Sequence, residues 1–282
     1  MTAPRSIRDA LSSAGEMLAA RNDHPALEAA VLLAHVLGVT RAHLHTRPEQ
    51  VLRESQLRDY FDLVARRKAG EPVAYLIGRR EFWSMDLLVN QHTLIPRPET
   101  ELLVELALTR IPPQAEFDIL DLGTGSGAIA LAIAGERPRC RITASDVSSQ
   151  ALDVARTNAK RLNLPNVAFR EGSWFTPFRD HQFDIILSNP PYVAEGDPHL
   201  TEGDLPAEPR RALVAGPSGM EMLTTIAQQA LRHLRAGGWL LMEHGYDQGA
   251  GVAALLSKAH YHHVRTWRDP AGNERITSGQ RE

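Results

Sequence analysis

The sequence has one cysteine, three lysines and no long apolar run, and these shortages exclude several classes of protein. Cys140 has no partner for a disulfide within the chain, which favours a reducing compartment and a cytoplasmic protein. No stretch approaches the roughly 18 apolar residues of a membrane-spanning helix. Charges interrupt the first twenty residues, where a secretory signal would have its apolar core. We therefore expect no membrane partner.

An excess of charge of one sign is also missing. The chain carries 31 Lys and Arg against 34 Asp and Glu, and residues 1–95 carry 12 and 11 of these. Proteins that bind phosphate backbones usually show a clustered basic excess, so we expect no direct contact with nucleic acid. With 282 residues, 43% of them hydrophobic, the chain is long enough for one large domain or two smaller ones.

The twelve histidines do not form a recognisable metal motif. His260, His262 and His263 lie close together, as do His43 and His45, but neither group has the H-x-x-x-H spacing of a helical zinc site. The single cysteine offers no cysteine pair. We expect histidines that pack or face solvent, and no metal.

Residues 1–70 predict a bundle of three short helices. The first is indicated by apolar residues at helical spacing, and a turn over 21–25 separates it from a second helix over 26–37 that Gly38 ends. A third helix is predicted from about Pro48 to Ala69. The apolar residues of the first helix are Ile7, Ala10, Leu11, Ala14, Met17 and Leu18.

Residues 71–96 predict a β-hairpin that links this bundle to the rest of the chain. Its strands would be 73–77 and 82–89, with the turn at Gly78-Arg79-Arg80. A helix from Pro98 to about Arg110 is expected next, because proline suits a first helical position.

From residue 117 onwards, candidate strands and helices alternate, which is typical of a mostly parallel, doubly wound α/β sheet. The last two strands are close enough in sequence to form an antiparallel hairpin at the sheet edge. The predicted strands are 117–122, 141–145, 167–170, 183–187, 239–243, 261–267 and 275–277.

A glycine-rich loop, Asp121-Leu122-Gly123-Thr124-Gly125-Ser126-Gly127, joins the first of these strands to the following helix. Glycine suits a loop that turns sharply and admits a ligand close to the backbone. The alternative is a tight turn without a ligand. Three alternating glycines in this position favour the ligand.

Two cofactors fit the loop. Gly123-x-Gly125-x-x-Ala128 satisfies the fingerprint of NAD-binding proteins, and Asp146, at the end of the second strand, suits the ribose of NAD or of S-adenosylmethionine. Asp121 favours S-adenosylmethionine, because a carboxylate suits the ammonium of a methionyl group better than a pyrophosphate. The N-terminus of the helix would attract the methionyl carboxylate.

Asn189-Pro190-Pro191-Tyr192 follows the fourth strand at its carboxyl end, where ligands bind in open α/β sheets. The two prolines stiffen the turn and remove two donors, so that it presents carbonyls. A planar NH₂ group needs two acceptors, which the Asn189 side chain and the Pro190 backbone can supply, and Tyr192 can stack on a planar amide or base. The alternative is a proline-rich turn without chemistry.

Together, Asp-x-Gly-x-Gly-x-Gly and Asn-Pro-Pro-Tyr resemble the motifs of S-adenosylmethionine-dependent amino-methyltransferases that act on planar NH₂ nitrogens. The chain is more specifically similar to the HemK/PrmC family. The segments that carry this similarity are 70–78 with Glu81-Phe82, Leu94-Ile95-Pro96-Arg97-Pro98-Glu99-Thr100-Glu101, Glu243-His244-Gly245 and 268–275.

The resemblance implies a seven-stranded Rossmann-like methyltransferase sheet over 97–282, joined by the hairpin linker 71–96 to a substrate-recognition bundle over 1–70. It also implies methyl transfer from S-adenosylmethionine to the side-chain amide nitrogen (N5) of the glutamine in the Gly-Gly-Gln motif of class-1 peptide chain release factors. These release factors would be the protein substrates.

The resemblance assigns roles to individual residues as well. The cofactor would contact Gly123, Thr124, Gly125, Ser126, Gly127, Asp146, Trp174 and Asn189, with adenine on Trp174, which would otherwise be a core tryptophan. The substrate glutamine would lie against Asn189, Pro190, Pro191 and Tyr192, of which Asn189, Pro190 and Tyr192 would act in catalysis. Arg97 and Glu99 either begin a helix or help to shape the pocket. The chain departs from the family pattern at residues 203–209, in the loop that follows Tyr192.

Other functions remain open on the sequence. A nucleic-acid adenine or guanine amino-methyltransferase shares the chemistry but should bring a basic surface and a base-flipping module. A nicotinamide-dependent oxidoreductase or a non-catalytic binding module would leave Asn-Pro-Pro-Tyr unexplained. A glutamine of a ribosomal protein is an alternative substrate.

Overall fold

The computed structural model describes residues 6–19 and 24–282, so residues 20–23, which include most of the predicted turn at 21–25, lie outside it. The chain divides into two compact units. The first comprises Met1–Gly78 and Thr201–Ala207, and the second comprises Arg79–Leu200 and Glu208–Glu282. The predicted linker is therefore divided between the two units, and the second unit contains both the glycine loop and Asn-Pro-Pro-Tyr.

The first unit is helical, as predicted. Ser6 caps its first helix in a reciprocal capping box with Asp9, and Ile7, Leu33 and Tyr60 are fully buried in its core. The Tyr60 hydroxyl donates to the Ala29 carbonyl at 3.1 Å, which satisfies its buried polar end. The helices described in this unit are α1 (Ile7–Leu18), α2 (Pro25–Leu37), α3 (Arg41–Thr46), α4 (Glu54–Lys68) and α5 (Val73–Ile77).

Two sequence expectations for this unit are wrong. The helix expected from Pro48 begins at Glu54, because the preceding backbone is engaged elsewhere: Val51 forms a bridge with Ser6. The predicted strand 73–77 is the short helix α5, which starts after Pro72 and ends at Gly78 in the left-handed region. A five-residue apolar run does not distinguish a strand from a buried helix.

The hairpin lies later than predicted. Its strands are β1 (Arg79–Phe82) and β2 (Met85–Leu88), and its two-residue turn is Trp83-Ser84. Both turn residues have positive φ, 51° and 56°, as a type I′ turn requires, although glycine and asparagine are its usual residues. Glu101 Oε1 compensates by accepting the Trp83 backbone N–H at 2.8 Å, a contact that local sequence does not reveal.

The second unit contains the expected seven-stranded sheet, which confirms the fold class. Its strand order is β10-β11-β9-β6-β3-β4-β5; the pairs involving β11 are antiparallel and the others parallel. The last two strands form the predicted hairpin at one edge. The strands are β3 (Asp118–Leu122), β4 (Arg141–Asp146), β5 (Val167–Glu171), β6 (Phe183–Ser188), β9 (Leu234–Glu243), β10 (His262–Arg268) and β11 (Glu274–Gln280), and a separate parallel pair is formed by β7 (Val193–Ala194) and β8 (Val214–Gly216).

Apolar side chains cover both faces of this sheet. Successive strand residues point to opposite faces, and Ile119 and Leu120 accordingly belong to two different buried clusters, as do Ile185 and Ile186. This arrangement is the doubly wound one, with helices packed on each side. The helices of the second unit are α6 (Glu101–Leu108), α7 (Ala128–Glu136), α8 (Ser149–Arg161), α9 (Arg210–Leu213), α10 (Glu221–His233) and α11 (Gly249–Lys258), with a 3₁₀ turn over Pro98–Thr100.

Within the described residues, no helix is both long and apolar enough to cross a membrane. The same residues contain no cluster of three or more His, Cys, Asp or Glu side chains arranged to hold a metal ion.

Candidate active site

A cavity of about 310 Å³ lies at the carboxyl ends of β3, β4, β5 and β6. The strand order reverses at β3 and β6, and this reversal is where doubly wound sheets bind their ligands. The described residues that line it are His92, Leu94, Gly123, Gly125, Ser145, Asp146, Val147, Ser148, Ala151, Gly172, Ser173, Trp174, Asn189, Pro191, Pro209, Arg211, Ala212, Val214 and Met222.

The glycine loop brings only part of its predicted set to the cavity. Gly123 and Gly125 line the cavity and have φ of 74° and 56°. Thr124, Ser126 and Gly127 are not among the described lining residues. The Thr124 hydroxyl donates to Asp121 at 2.6 Å, and the Ser126 carbonyl accepts the Asn158 side-chain amide at 3.0 Å.

Gly127 has a structural reason to be glycine. Its φ is 89°, and a Cβ there would lie 2.9 Å from Leu131 Cδ1. Thr124, Ser126 and Gly127 thus stabilise the loop through contacts with other protein groups. Gly123 and Gly125 leave the cavity side of the loop open to a ligand.

Asp121 is a fully buried carboxyl with one unsatisfied oxygen. Oδ2 accepts from the Thr124 hydroxyl and from the Ala130 backbone N–H at 3.2 Å, whereas Oδ1 has no hydrogen-bond partner among the described residues. Burial raises the pKa of Asp121 to about 7, and the nearby charge of Asp146 adds to the increase. Asp121 is not among the described residues that line the cavity, but it lies two positions before Gly123, which does. A buried oxygen without a partner is costly, and a cationic ligand held at the glycine loop would satisfy it.

Asp146, predicted to bind ribose, ends β4 and lines the cavity. Its Oδ2 accepts from the Gly125 N–H and its Oδ1 from the Ser148 N–H, each at 2.9 Å. Burial raises its pKa, while these N–H groups and the charge of Arg211 lower it. Each carboxylate oxygen accepts more than one hydrogen bond, so Asp146 retains acceptor capacity toward a ligand.

Arg211, another lining residue, was missed by sequence reasoning. It lies 65 residues further along the chain than Asp146, and nothing local to it signals a site. Arg211 and Asp146 both line the cavity, and the charge of Arg211 lowers the pKa of Asp146.

Trp174 lines the cavity and packs against the apolar cluster that contains Leu120, so it combines a packing role with access to a ligand. Its ring lies over the glycine loop, with Cζ3 4.0 Å from the position that a Cβ on Gly123 would take. Its φ of 46° is uncommon for a bulky residue. Such backbone strain is often found at ligand sites.

The Asn189 side chain also lines the cavity, and its amide nitrogen is engaged. Nδ2 donates to Thr100 Oγ1 at 3.2 Å, whereas Oδ1 accepts no hydrogen bond from the described residues. Thr100 is buried at the end of the 3₁₀ turn that precedes α6. The amide oxygen of Asn189 is therefore available as an acceptor.

The rest of Asn-Pro-Pro-Tyr is divided between the cavity and the interior. Pro191 lines the cavity, and Pro190 is buried. Tyr192 is not among the described lining residues, and its hydroxyl donates to Glu243 Oε1 at 3.3 Å. Its backbone carbonyl accepts a hydrogen bond from the Gln248 side-chain amide at 2.9 Å, which stabilises the turn.

Glu243 is a second buried carboxyl next to the site. The pairing of Ser188 with Met242 in the parallel strands β6 and β9 places Asn189 and Glu243 side by side, one residue beyond. Burial raises the pKa of Glu243 to about 7, opposed by the nearby Thr100 hydroxyl and by the charge of Arg275, and its Oε2 has no hydrogen-bond partner among the described residues. The sequence identifies Glu243 only as part of a segment that resembles the HemK/PrmC family. It does not show that Glu243 lies beside Asn189, because the order of strands in the sheet cannot be inferred from local sequence.

Glu208 holds two walls of the cavity together. Its buried carboxylate accepts the Ile95 backbone N–H at 2.9 Å and forms an ion pair with the Arg97 guanidinium. Leu94 and Pro209, which are next in sequence to Ile95 and Glu208, both line the cavity. The sequence leaves open whether Arg97 begins a helix or helps to shape the pocket. Its ion pair with Glu208 gives it a structural role next to the cavity.

Comparison with known proteins gives matches in both units. Residues 9–78 match the PrmC N-terminal domain, and residues 99–260 match the methyltransferase small domain. The chain is 49% identical over 276 residues to the release factor glutamine methyltransferase of Vibrio cholerae, covering 97% of this chain and 96% of that protein. It is 50% identical to the enzyme of the same name from Pseudomonas aeruginosa, covering 90% and 92% of the two chains.

A solved methyltransferase from Pyrococcus furiosus shares the fold, with a TM-score of 0.53 at 20% identity over 77% of this chain and 96% of that one. Fold alone does not decide activity. The sequence identity to the two bacterial enzymes runs through both units, however, so the chain belongs to the release factor glutamine methyltransferase family, the HemK/PrmC family that its motifs indicate.

Proposed function

We propose that this protein transfers a methyl group from S-adenosylmethionine to N5 of the glutamine in the Gly-Gly-Gln motif of class-1 peptide chain release factors. The observation that carries the proposal is the orientation of the Asn189 amide. Its nitrogen is bound to Thr100, and its oxygen is left as an acceptor beside the cavity. An acceptor is what the NH₂ group of a glutamine requires.

The chain's own residues contribute by holding the target amide. Asn189 Oδ1 accepts one N–H, and the Pro190 carbonyl, to which no described backbone N–H donates, accepts the other. Fixing both N–H groups reduces delocalisation of the nitrogen lone pair and aims it. Positioning of this kind contributes up to about 7–11 kcal/mol when the geometry is good. The nitrogen becomes strongly acidic once methylated, so no separate base is required.

The residues around the cavity fit S-adenosylmethionine, which supplies an electrophilic methyl group when bound. The unpartnered Oδ1 of Asp121 suits the methionyl ammonium, and Asp146 suits the ribose hydroxyls. Gly123 and Gly125 admit close approach to the backbone. Trp174 offers a flat face to adenine, and Thr124, Ser126 and Gly127 support the loop.

The proposed function is tested by incubating the protein with a purified class-1 release factor and methyl-labelled S-adenosylmethionine. We expect one methyl group on the Gly-Gly-Gln glutamine, located by mass spectrometry of the peptide. A release factor with glutamate in place of that glutamine is the matched control and should take no label. Label in ribosomal protein or nucleic acid, with none in the release factor, would assign a different substrate.

Replacing Asp146 with alanine should weaken S-adenosylmethionine binding by about 10- to 150-fold, because charge-assisted hydrogen bonds to ribose contribute about 1.5–3 kcal/mol. Calorimetry on the wild type and the variant measures this change. Asp153→Ala removes an exposed carboxylate from α8 and is the matched control, with no expected effect on affinity. Tight binding of NADH with none of S-adenosylmethionine would contradict the assigned cofactor.

We further propose that the helical region over 1–70 recognises the release factor. All described residues that line the cavity belong to the second unit, and the first unit has an apolar core of its own. The first unit therefore supplies no group to the chemistry and is left for recognition of the protein substrate.

Removing residues 1–78 should abolish methylation of the intact release factor, while S-adenosylmethionine affinity stays within about threefold, because the second unit has separate cores. Assays with the intact factor and with a Gly-Gly-Gln peptide measure the difference. Truncation also removes Arg67, which pairs with Asp204 at 2.6 Å, so Asp204→Ala in the full chain is the control. A truncated enzyme that methylated the intact factor at the full rate would contradict this role.

A further inference from the structure

We propose that Asn158 holds the glycine loop and the end of β2 in one fixed arrangement, and that the affinity of the cavity for its cofactor depends on these contacts. Asn158 lies on α8 and is not among the described residues that line the cavity, so it is a positioning residue. The inference rests on the proposed function, in which the glycine loop binds S-adenosylmethionine.

Both ends of the Asn158 amide are engaged. Its Oδ1 accepts the Leu88 backbone N–H at 2.7 Å, and its Nδ2 donates to the carbonyls of Leu88 and Ser126, each at 3.0 Å. An amide nitrogen has two hydrogens, one for each carbonyl. Only this orientation satisfies all three contacts, because a reversed amide would place its oxygen against two carbonyl oxygens.

The surroundings of Asn158 favour an apolar residue, so its amide needs a reason to be there. Val154 and Ala155, four and three residues earlier on α8, are also buried and share its side of the helix. Asn158 itself is fully buried, where a polar group without partners would be costly, and asparagine has a low helix propensity. The three backbone contacts supply the reason.

At Leu88, the amide takes the place of a neighbouring strand. Among the described strands, β2 pairs only with β1, and Leu88 lies opposite Arg79 with its own N–H and C=O bound to Asn158. A strand edge otherwise leaves such groups unpaired. The chain reaches the cavity within six residues, at His92 and Leu94. Holding Leu88 therefore holds the start of this wall of the cavity.

At Ser126, the amide supplies a donor that the backbone does not. Ser126 precedes α7, and no described backbone N–H donates to its carbonyl. The N–H of Ala130, four residues later, donates to Asp121 instead. Ser126 is next in sequence to Gly125, which lines the cavity. Asn158 thus holds the glycine loop directly beside a residue that faces the ligand.

One side chain therefore joins two segments of the cavity wall that are distant in sequence. Asn158 is 70 positions from Leu88 and 32 positions from Ser126. A ligand that fills the cavity needs both segments in place, so its binding is coupled to the contacts of Asn158. Coupling of this kind is reciprocal: if the contacts strengthen binding, the bound ligand must strengthen the contacts by the same factor.

The first test removes the donors of Asn158. Asn158→Asp keeps the shape but has no hydrogen to donate when ionised, and Asn158→Leu removes the polar atoms without adding a charge. We expect each variant to bind S-adenosylmethionine at least about tenfold more weakly by calorimetry, as for one lost hydrogen bond. The single-turnover rate at saturating S-adenosylmethionine should stay within about threefold, because no group that contacts the substrate is changed.

Asn166 offers a matched control for the loss of a structural amide. Its Nδ2 also donates to backbone carbonyls, those of Ala134, Arg137 and Cys140, at 3.2 to 3.4 Å. None of these is among the described lining residues, and Cys140 precedes β4 at the end of the strand away from the cavity. Asn166→Asp should leave the affinity within about twofold. Unchanged affinity in both Asn158 variants, or an equal loss in Asn166→Asp, would overturn the proposal.

The second test uses the wild type, so it does not depend on the folding of a variant. In protein labelled with nitrogen-15, saturating S-adenosylmethionine should slow solvent exchange of the Asn158 side-chain NH₂ by at least about tenfold, the factor that reciprocity requires. The Asn166 NH₂ should change by less than about twofold in the same spectra. Equal exchange of the Asn158 NH₂ with and without bound ligand would overturn the proposal.

The outcomes also separate this inference from the proposed function. If the wild type bound NADH and not S-adenosylmethionine, the proposed function would be rejected. NADH should then slow exchange at Asn158, and Asn158→Leu should weaken NADH binding, because the coupling depends on the two wall segments and not on the ligand between them. Normal binding of S-adenosylmethionine with no label in the release factor would reject the substrate alone.

Discussion

Replacing Asn189 with alanine is expected to slow single-turnover methylation of a release factor by at least about 100-fold. The substitution removes the acceptor for one N–H of the glutamine amide, and a buried N–H left without a partner costs about 1–3 kcal/mol in addition to the lost orientation. The loss should appear mainly in kcat, because the acceptor matters most in the transition state. S-adenosylmethionine affinity should fall much less than the rate.

Asn189→Asp is the sharper probe of the same contact. It keeps the shape and offers acceptors, but it adds a negative charge and cannot donate to Thr100 when ionised. We expect a large loss on glutamine with this variant too, and activity on a different planar nitrogen is a further outcome to measure. Rapid-quench methylation and calorimetry on each variant give rate and affinity separately. Near-wild-type turnover of Asn189→Ala would mean that another group holds the amide, and the mechanism would have to be abandoned.

The parts of this site that the sequence predicts are those with local chemical causes. The glycines at Gly123 and Gly125 adopt the positive φ that the loop requires, and Asp146 follows directly from the end of a strand. Asn189 and Pro191 reach the cavity because a buried strand ends immediately before them. In each case a few neighbouring residues determine the position.

The supporting contacts could not be predicted, because they join distant parts of the chain. Thr100 and Asn189 are 89 positions apart, and Ile95 and Glu208 are 113 apart. The positions of these pairs depend on strand order and on the path of a loop, neither of which has a local pattern. The predicted position of the hairpin turn is wrong for a related reason. Trp83 and Ser84 are unusual residues for such a turn, and a carboxylate distant in sequence, Glu101, stabilises it by accepting the Trp83 N–H.

Asp121 should make S-adenosylmethionine binding strongly dependent on pH. Its pKa in the free protein is raised to about 7, chiefly by burial, so the carboxyl must lose a proton below that pH before it can pair with the methionyl ammonium. If the bound form stays ionised throughout, affinity should rise about 50-fold from pH 5 to pH 7. It should fall again above about pH 8, where an α-amino group loses its own proton.

Stability of the free protein should change in the opposite direction. The folded state holds the Asp121 proton more tightly than the unfolded chain, whose carboxyl titrates near its ordinary value of 3.8. The stabilisation is therefore complete below that value and is lost as pH rises to about 7. Bound S-adenosylmethionine should reverse the trend, because it pairs with the ionised form.

Asp121→Asn isolates this group from Asp146, whose pKa is also raised. Asparagine can still accept from Thr124 through its amide oxygen but carries no charge, so the variant should bind S-adenosylmethionine about 10- to 150-fold more weakly at pH 8, as expected for one lost charge-assisted contact. Its affinity should lose most of the rise between pH 5 and pH 7. Calorimetry in buffers of different ionisation enthalpy counts the proton released on binding near pH 6. If the variant kept the full rise in affinity and the proton release, the pH dependence would have to come from Asp146. Oδ1 of Asp121 would then not be the group that binds the methionyl ammonium.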